Sequence, residues 1–154
     1  MKVLCCTSMR MAMNKPVPQL LSILETALYV DDLGRAAAFY EGVIGLSPLY
    51  GDDRLRAYNV NDRSVLLLFI RGGTVEPVQT GGGLIPPHNG SGSLHMAFSA
   101  THAALLQWRA HLEAAGIKIE GTSEWKRGGQ SLYFRDPDGN LLEVAATPGL
   151  WEGF

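Results

Sequence analysis

Two stretches of the chain share one order of apolar and polar positions. The first opens at Ile23. Leu24, Leu28 and Val30 fall on one face of an extended strand, and Glu25, Ala27 and Tyr29 on the other. Asp31 or Asp32 then caps a helix in which Leu33, Ala37, Tyr40 and Ile44 recur at helical spacing, with Gly45 as a left-handed stop. Three short strands are predicted next: around Leu49, over residues 55–60, and over residues 65–70, with Asn61-Asp62 in the last turn. The second stretch repeats this plan. Residues 93–99 place Leu94, Met96 and Phe98 on one face and Ser93, His95, Ala97 and Ser99 on the other. Thr101 caps a helix carrying Leu105, Trp108 and Leu112, which Gly116 closes. Strands are predicted over residues 117–119, 131–135 and 141–145, with Asp136-Pro137-Asp138-Gly139-Asn140 as a strong turn.

The pattern predicts an α+β fold of two βαβββ modules, over residues 21–72 and 93–147. A Gly- and Pro-rich linker and rim loop spans residues 73–92, and a C-terminal tail spans 148–154, whose Leu150-Trp151 pair is expected to cover an edge or a partner surface. Residues 1–20 read as a flexible tail. The apolar run after Lys2 is too short for a signal peptide, Arg10 interrupts the stretch after it, and Met9, Met11 and Met13 offer later starts. No stretch approaches the ~18–20 apolar residues of a membrane helix.

The chain's 154 residues suit one domain with a core that needs no staples. A net charge of −2, without a basic stripe, gives no reason to expect nucleic acid. The only cysteines, Cys5 and Cys6, are sequence neighbours and imply no disulfide framework, so a reducing cytoplasm is the expected compartment.

Chemistry is expected on the faces turned away from the helices. Glu25 and His95 occupy corresponding places on the two opening strands, and Glu143 interrupts an apolar closing strand. Taken singly, each has an ordinary explanation: an ion pair between Glu25 and His95, or a solvated face for Glu143. Together, one imidazole and two carboxylates make an open site for a divalent cation. Ser131, Tyr133 and Arg135 alternate onto the face of Glu143. Tyr133 is a candidate proton or hydrogen-bond donor, and its alternative is an ordinary half-buried strand tyrosine. Trp125, with Lys126 and Arg127, is a candidate rim, and His88, in Pro86-Pro87-His88-Asn89-Gly90, a candidate gate; each has a plain surface loop as its alternative. His102 and His111 are expected to be solvent-exposed on the second helix.

The segment Glu25-Thr26-Ala27-Leu28-Tyr29-Val30-Asp31-Asp32-Leu33, then Ala38-Phe39-Tyr40-Glu41 and Gly45-Leu46, resembles the opening of a glyoxalase/bleomycin-resistance/dioxygenase domain of the vicinal oxygen chelate superfamily. Residues 131–143 resemble that family's closing motif, and with residues 94–98 the resemblance covers about residues 22–147. It implies a curved mixed sheet around a central groove, a homodimer, and a divalent metal (Fe²⁺, Mn²⁺, Ni²⁺ or Zn²⁺) chelated by two neighbouring oxygens of a small-molecule substrate. Carried over by position, His95 and Glu143 match ligand positions, Glu25 stands where many members have His, and Leu67 stands where a fourth ligand would be. The four-ligand glyoxalase I set is therefore broken, and a three-position set of Glu25, His95 and Glu143 survives. Two carboxylates would neutralise a divalent ion and favour oxygen-loving metals. Lyase, dioxygenase and transferase chemistry are all open, with Tyr133 and Glu143 as the catalytic candidates and Trp125, Ser131, Tyr133, Arg135 and His88 toward substrate. The alternative is a metal-free binder of an antibiotic or other small ligand, as in bleomycin-resistance members. The groove is formed either within one chain or between two.

Overall fold

The computed structural model describes residues 17–153. The first module runs β1 (Glu25–Val30), α1 (Leu33–Gly42), β2 (Ser47–Gly51), β3 (Leu55–Val60) and β4 (Ser64–Ile70). A small hairpin of β5 (Val78–Thr80) and β6 (Gly83–Ile85) lies in the linker. The second module repeats the first as β7 (His95–Ala100), α2 (His102–Ala114), β8 (Gly121–Glu124), β9 (Gln130–Arg135) and β10 (Leu141–Ala146). Each module is a four-stranded mixed sheet in which the opening strand pairs parallel with the closing one. The orders are β1-β4-β3-β2 and β7-β10-β9-β8.

The local signals act where the sequence puts them. Asp32 accepts a 2.8 Å bond from the Arg35 amide, and this backbone bond holds the Asp32 carboxyl below its ordinary range. Beyond α1, Gly45 takes φ +77° and lets the Leu46 amide reach back to the Tyr40 carbonyl at 2.9 Å, closing the helix. Asn61 and Asp62 both adopt positive φ, 53° and 55°, in the tight β3–β4 turn. Thr101 caps α2 through the Ala104 amide.

Three expectations are corrected. The buried stripe of α1 runs through Leu33, Ala36, Phe39, Tyr40 and Ile44, with Ala37 only half-buried at its side. No strand forms over residues 117–119. The Ile117 amide turns back to the Leu112 carbonyl, and the ladder with β9 begins only at Gly121 opposite Tyr133. Ile117 and Ile119 still pack against the core. Leu24 is 69 % exposed rather than on a covered face. Of the C-terminal apolar pair, Trp151 is exposed and Leu150 half-buried within the chain. Most of the predicted N-terminal tail, residues 1–16, lies outside the described residues, and residues 17–24 have no regular secondary structure apart from the Leu24 carbonyl, which bonds the Val65 amide.

One core joins the modules. Leu28, Val30, Leu66 and Leu68 of the first sheet and Leu132, Phe134, Leu142 and Val144 of the second belong to the same buried cluster as Phe39, Tyr40, Leu105 and Leu112 of the helices. Burying such side chains is worth roughly 1.5–3 kcal/mol each. The junction is also bonded: Tyr40 to Asp136 at 2.9 Å, Arg35 to Asp138 at 2.8 Å, and His111 Nε2 to the Val43 carbonyl at 2.7 Å. Because both sheets turn their Leu28/Leu142 faces to this shared core, the opposite faces, which carry Glu25 and His95, both point outward.

Candidate metal centre

The register of the two sheets aligns their outward faces position by position. Glu25 pairs with Val65 as His95 pairs with Leu141, and Ala27 pairs with Leu67 as Ala97 pairs with Glu143. Position 25 is thus the structural counterpart of 95, and Leu67 that of Glu143. Tyr133 is the direct antiparallel partner of Glu143, so their side chains stand together on one face.

The second module assembles a polar trio. His95 Nε2 lies 3.3 Å from Glu143 Oε2, and Tyr133 donates its hydroxyl to Glu143 Oε1 at 3.1 Å. Glu143 is only 5 % exposed, whereas half of the His95 side chain is open to solvent. The far side of the imidazole fixes its tautomer. Nδ1 lies 3.1 Å from the Leu141 carbonyl, which only accepts, so Nδ1 carries the hydrogen. In a neutral ring the Nε2 lone pair then points at a carboxylate oxygen. Two electron-rich atoms at this separation require a cation between or beside them, either a proton or a metal ion. A ring nitrogen anchored through its other side, next to a carboxylate oriented by a hydroxyl, is the donor chemistry of a divalent metal site. These donors fit the ion implied by the sequence: His95 and Glu143 would supply two ligand atoms from one module.

Glu25 does not join them within the chain. It is exposed at the start of β1, and among the described residues no group of three His, Cys, Asp or Glu side chains lies close enough to hold an ion. β1 and β7 are each the outermost strand of their sheet.

The other candidates fall into two places. Ser131 is buried on the Glu143 face and accepts a 2.9 Å bond from Trp125 Nε1, which holds the half-exposed indole over that end of the sheet. Arg135 shares the face, but its guanidinium is engaged by Glu120, Ser93 and the Gly139 carbonyl, at 3.1, 2.7 and 3.0 Å. His88 belongs to the other module. Its Nδ1 is 2.6 Å from the Tyr29 hydroxyl, and its ring stands edge-on to Phe69 at 4.7 Å. The loop that carries this candidate gate is tied down: the His88 amide bonds the Thr74 carbonyl at 2.9 Å, and Arg71 bonds the Gly90 carbonyl at 3.1 Å. It forms an aromatic wall on the Glu25 face. The strand alternation already placed Tyr29 on that face, but the 59-residue separation from His88 left no signal for their contact. The loop needs glycine at position 90, where a Cβ would lie 2.2 Å from the Tyr29 ring. Gly90→Ala is therefore expected to displace the loop and cost roughly 1–3 kcal/mol, read by urea denaturation. His102 and His111 are exposed as expected, although each ring bonds a backbone carbonyl.

The family model for the glyoxalase/bleomycin resistance protein/dioxygenase superfamily matches residues 22–144. The chain belongs to this superfamily. The structure is similar to that of a lactoylglutathione lyase from Agrobacterium tumefaciens, with 37 % sequence identity, a TM-score of 0.78, and 86 % of this chain and 97 % of that one covered. It is also similar to an integron cassette protein from the mobile metagenome of Vibrio cholerae, at 26 % identity and TM-score 0.66 over 86 % and 99 % of the two chains. A fosfomycin resistance protein from Listeria monocytogenes shares the fold at 19 % identity and TM-score 0.59, over 86 % and 96 %. As a glyoxalase-superfamily chain, it has the fold of paired βαβββ modules that the repeat predicted. Among the described residues, no helix is long and apolar enough to cross a membrane.

Proposed function

We propose that this chain is a metal-dependent enzyme acting on a small molecule with two neighbouring oxygens. The active site is shared between two copies: His95, Glu143 and Tyr133 come from one, and Glu25 from the other. The observation that carries this is the buried Glu143 carboxylate 3.3 Å from Nε2 of a His95 whose Nδ1 is anchored on the Leu141 carbonyl. The separation of Glu25 from that pair, on outward-facing sheet surfaces, supports the homodimer.

The ion, when bound, supplies Lewis-acid stabilisation of negative charge developing on the substrate oxygens. The chain's residues do the rest. Tyr133 fixes the Glu143 carboxylate by donating its hydroxyl to Oε1, and that single hydrogen passes to a substrate oxygen on the same face only when the bond to Glu143 is given up. Glu143, the buried carboxylate beside His95 and Tyr133, is placed to take a proton from a neighbouring carbon. Leu67, at the equivalent position, presents an apolar wall. Trp125 closes one end of the Glu143 face, and the Tyr29–His88–Phe69 wall lies along the Glu25 face. The 37 %-identical relative is named as a lyase, which favours lyase chemistry by proton transfer over the dioxygenase and transferase alternatives.

Plasma emission spectroscopy on protein purified without chelator or metal-affinity resin tests this directly. About one equivalent of divalent metal per chain is expected in the parent and little in His95→Ala, with unchanged circular dichroism. A parent that takes up no metal after anaerobic incubation with Mn²⁺, Fe²⁺, Ni²⁺ and Zn²⁺ would overturn the proposal.

A further inference from the structure

Ahead of β1, residues 17–24 carry Val17, Leu20, Leu21, Ile23 and Leu24, all between 69 % and 94 % exposed. Isolated exposed apolar residues are ordinary, but a run of five in eight positions is an uncovered surface. The repeat provides an internal comparison. The Leu24 carbonyl accepts the Val65 amide at 2.9 Å, as the Leu94 carbonyl accepts the Leu141 amide at 2.7 Å, so the two leucines are equivalent. Leu94 is half-buried against the core, whereas Leu24 is uncovered. Among the described residues, nothing covers in the first module the position that is covered in the second.

We propose that residues 17–24 form an inter-subunit arm that docks along the free edge of β7 in a second copy. The proposal rests on the shared site described above and adds the segment that holds it together. Ligand atoms of one ion lie about 3 Å apart. A Glu25 that reaches the partner's His95 therefore brings its neighbours with it, since an extended chain advances only about 3.3 Å per residue. Leu21 then lies within about 13 Å of the ion, against the partner.

Position 25 is the counterpart of position 95, so a local two-fold that brings them together sets β1 antiparallel to the partner's β7. Residues before Glu25 then run beside residues after the partner's His95: Ile23 beside the partner's Ala97, and Leu21 beside the partner's Ser99. Ala97 and Ser99 are small and exposed, which leaves room for the larger side chains. β7 has an unpaired backbone edge to receive a strand. Behind it, Met96 and Phe98 line a crevice of about 310 Å³ together with Thr26 and Leu66.

The test compares the full-length parent with Leu21→Asp/Ile23→Asp and with the control Leu106→Asp, another exposed leucine, on α2. Light scattering and sedimentation give the dimer Kd, and plasma emission gives the metal content. The expected result is a dimeric parent, a Kd raised at least 100-fold by the double substitution with loss of bound metal at low protein concentration, and a control like the parent. A double variant that dimerises and holds metal like the parent overturns the arm and leaves the shared site standing. A dimeric parent without metal, still dissociated by the double substitution, supports the arm and sinks the metal centre. A monomeric parent overturns the arm, and its sedimentation with phosphatidylglycerol vesicles would assign the segment to a lipid surface instead.

Discussion

Glu143→Gln is expected to weaken divalent-metal binding by at least about 100-fold while leaving the fold intact, an effect no smaller than the loss of a ligand's hydrogen-bonded support. The amide is nearly isosteric. Its oxygen keeps the bond from Tyr133, and its N–H₂ faces His95 Nε2, which has a lone pair free to accept. The substitution thus replaces an anion that requires a cation with a donor that satisfies the imidazole directly. Calorimetry separates this from general damage. At a free metal concentration 100 times Kd, binding to the folded state adds about 2.7 kcal/mol, so the parent's Tm should fall when chelator is added. The variant should melt at one temperature with or without chelator, at or above the metal-free parent. A variant that keeps the parent's metal content would show that Glu143 is not a ligand. Tyr133→Phe should fall between the two, with affinity reduced roughly 10- to 100-fold, because it frees the carboxylate without removing it.

The second large effect concerns stability. Asp136→Ala is expected to cost roughly 3–5 kcal/mol in urea denaturation. Asp136 is buried. Its Oδ1 accepts the Asp138 and Asn140 amides at 2.9 and 2.8 Å, and its Oδ2 accepts Asn140 Nδ2 and the Tyr40 hydroxyl at 2.8 and 2.9 Å. Truncation leaves four donors without an acceptor where water has little access. The damage spreads through the same turn: Asn140 Oδ1 accepts the Leu94 amide, and Asp138 Oδ1 accepts the Asp31 amide and Arg35. Tyr40 is wholly buried, and burial, with the Asp136 charge beside it, pushes its phenol far above the ordinary range, so it remains a donor at any working pH. Tyr40→Phe should cost only about 1 kcal/mol, because Asn140 still occupies Oδ2. The two substitutions should be non-additive. A loss below about 1 kcal/mol for Asp136→Ala would mean that water reaches the turn.

That turn shows where a sequence is informative and where it is not. Asp136-Pro137-Asp138-Gly139-Asn140 was legible as a turn, since Gly139 and the Asx side chains have local reasons to be there, and Gly139 does take φ +80°. Its work as a latch on α1 and β7 was not legible, because Tyr40 and Leu94 are 96 and 46 residues away. The same division runs through the site. Alternation along β10, with a turn of fixed length, was enough to put Tyr133 and Glu143 on one face, and the repeat was enough to match Glu25 with His95 and Leu67 with Glu143.

These are short-range facts: side-chain direction has period two, and a hairpin sets its own register. Tertiary structure decided everything that depends on which apolar face meets which. Periodicity identifies the face that must be covered but not its cover, because one hydrophobic surface satisfies another without regard to sequence distance. The modules met through their helix-side faces around one core. That packing turned Glu25 and the His95–Glu143 pair outward on separate sheets, buried Tyr29 under the His88 loop, and left the arm before β1 uncovered among the described residues.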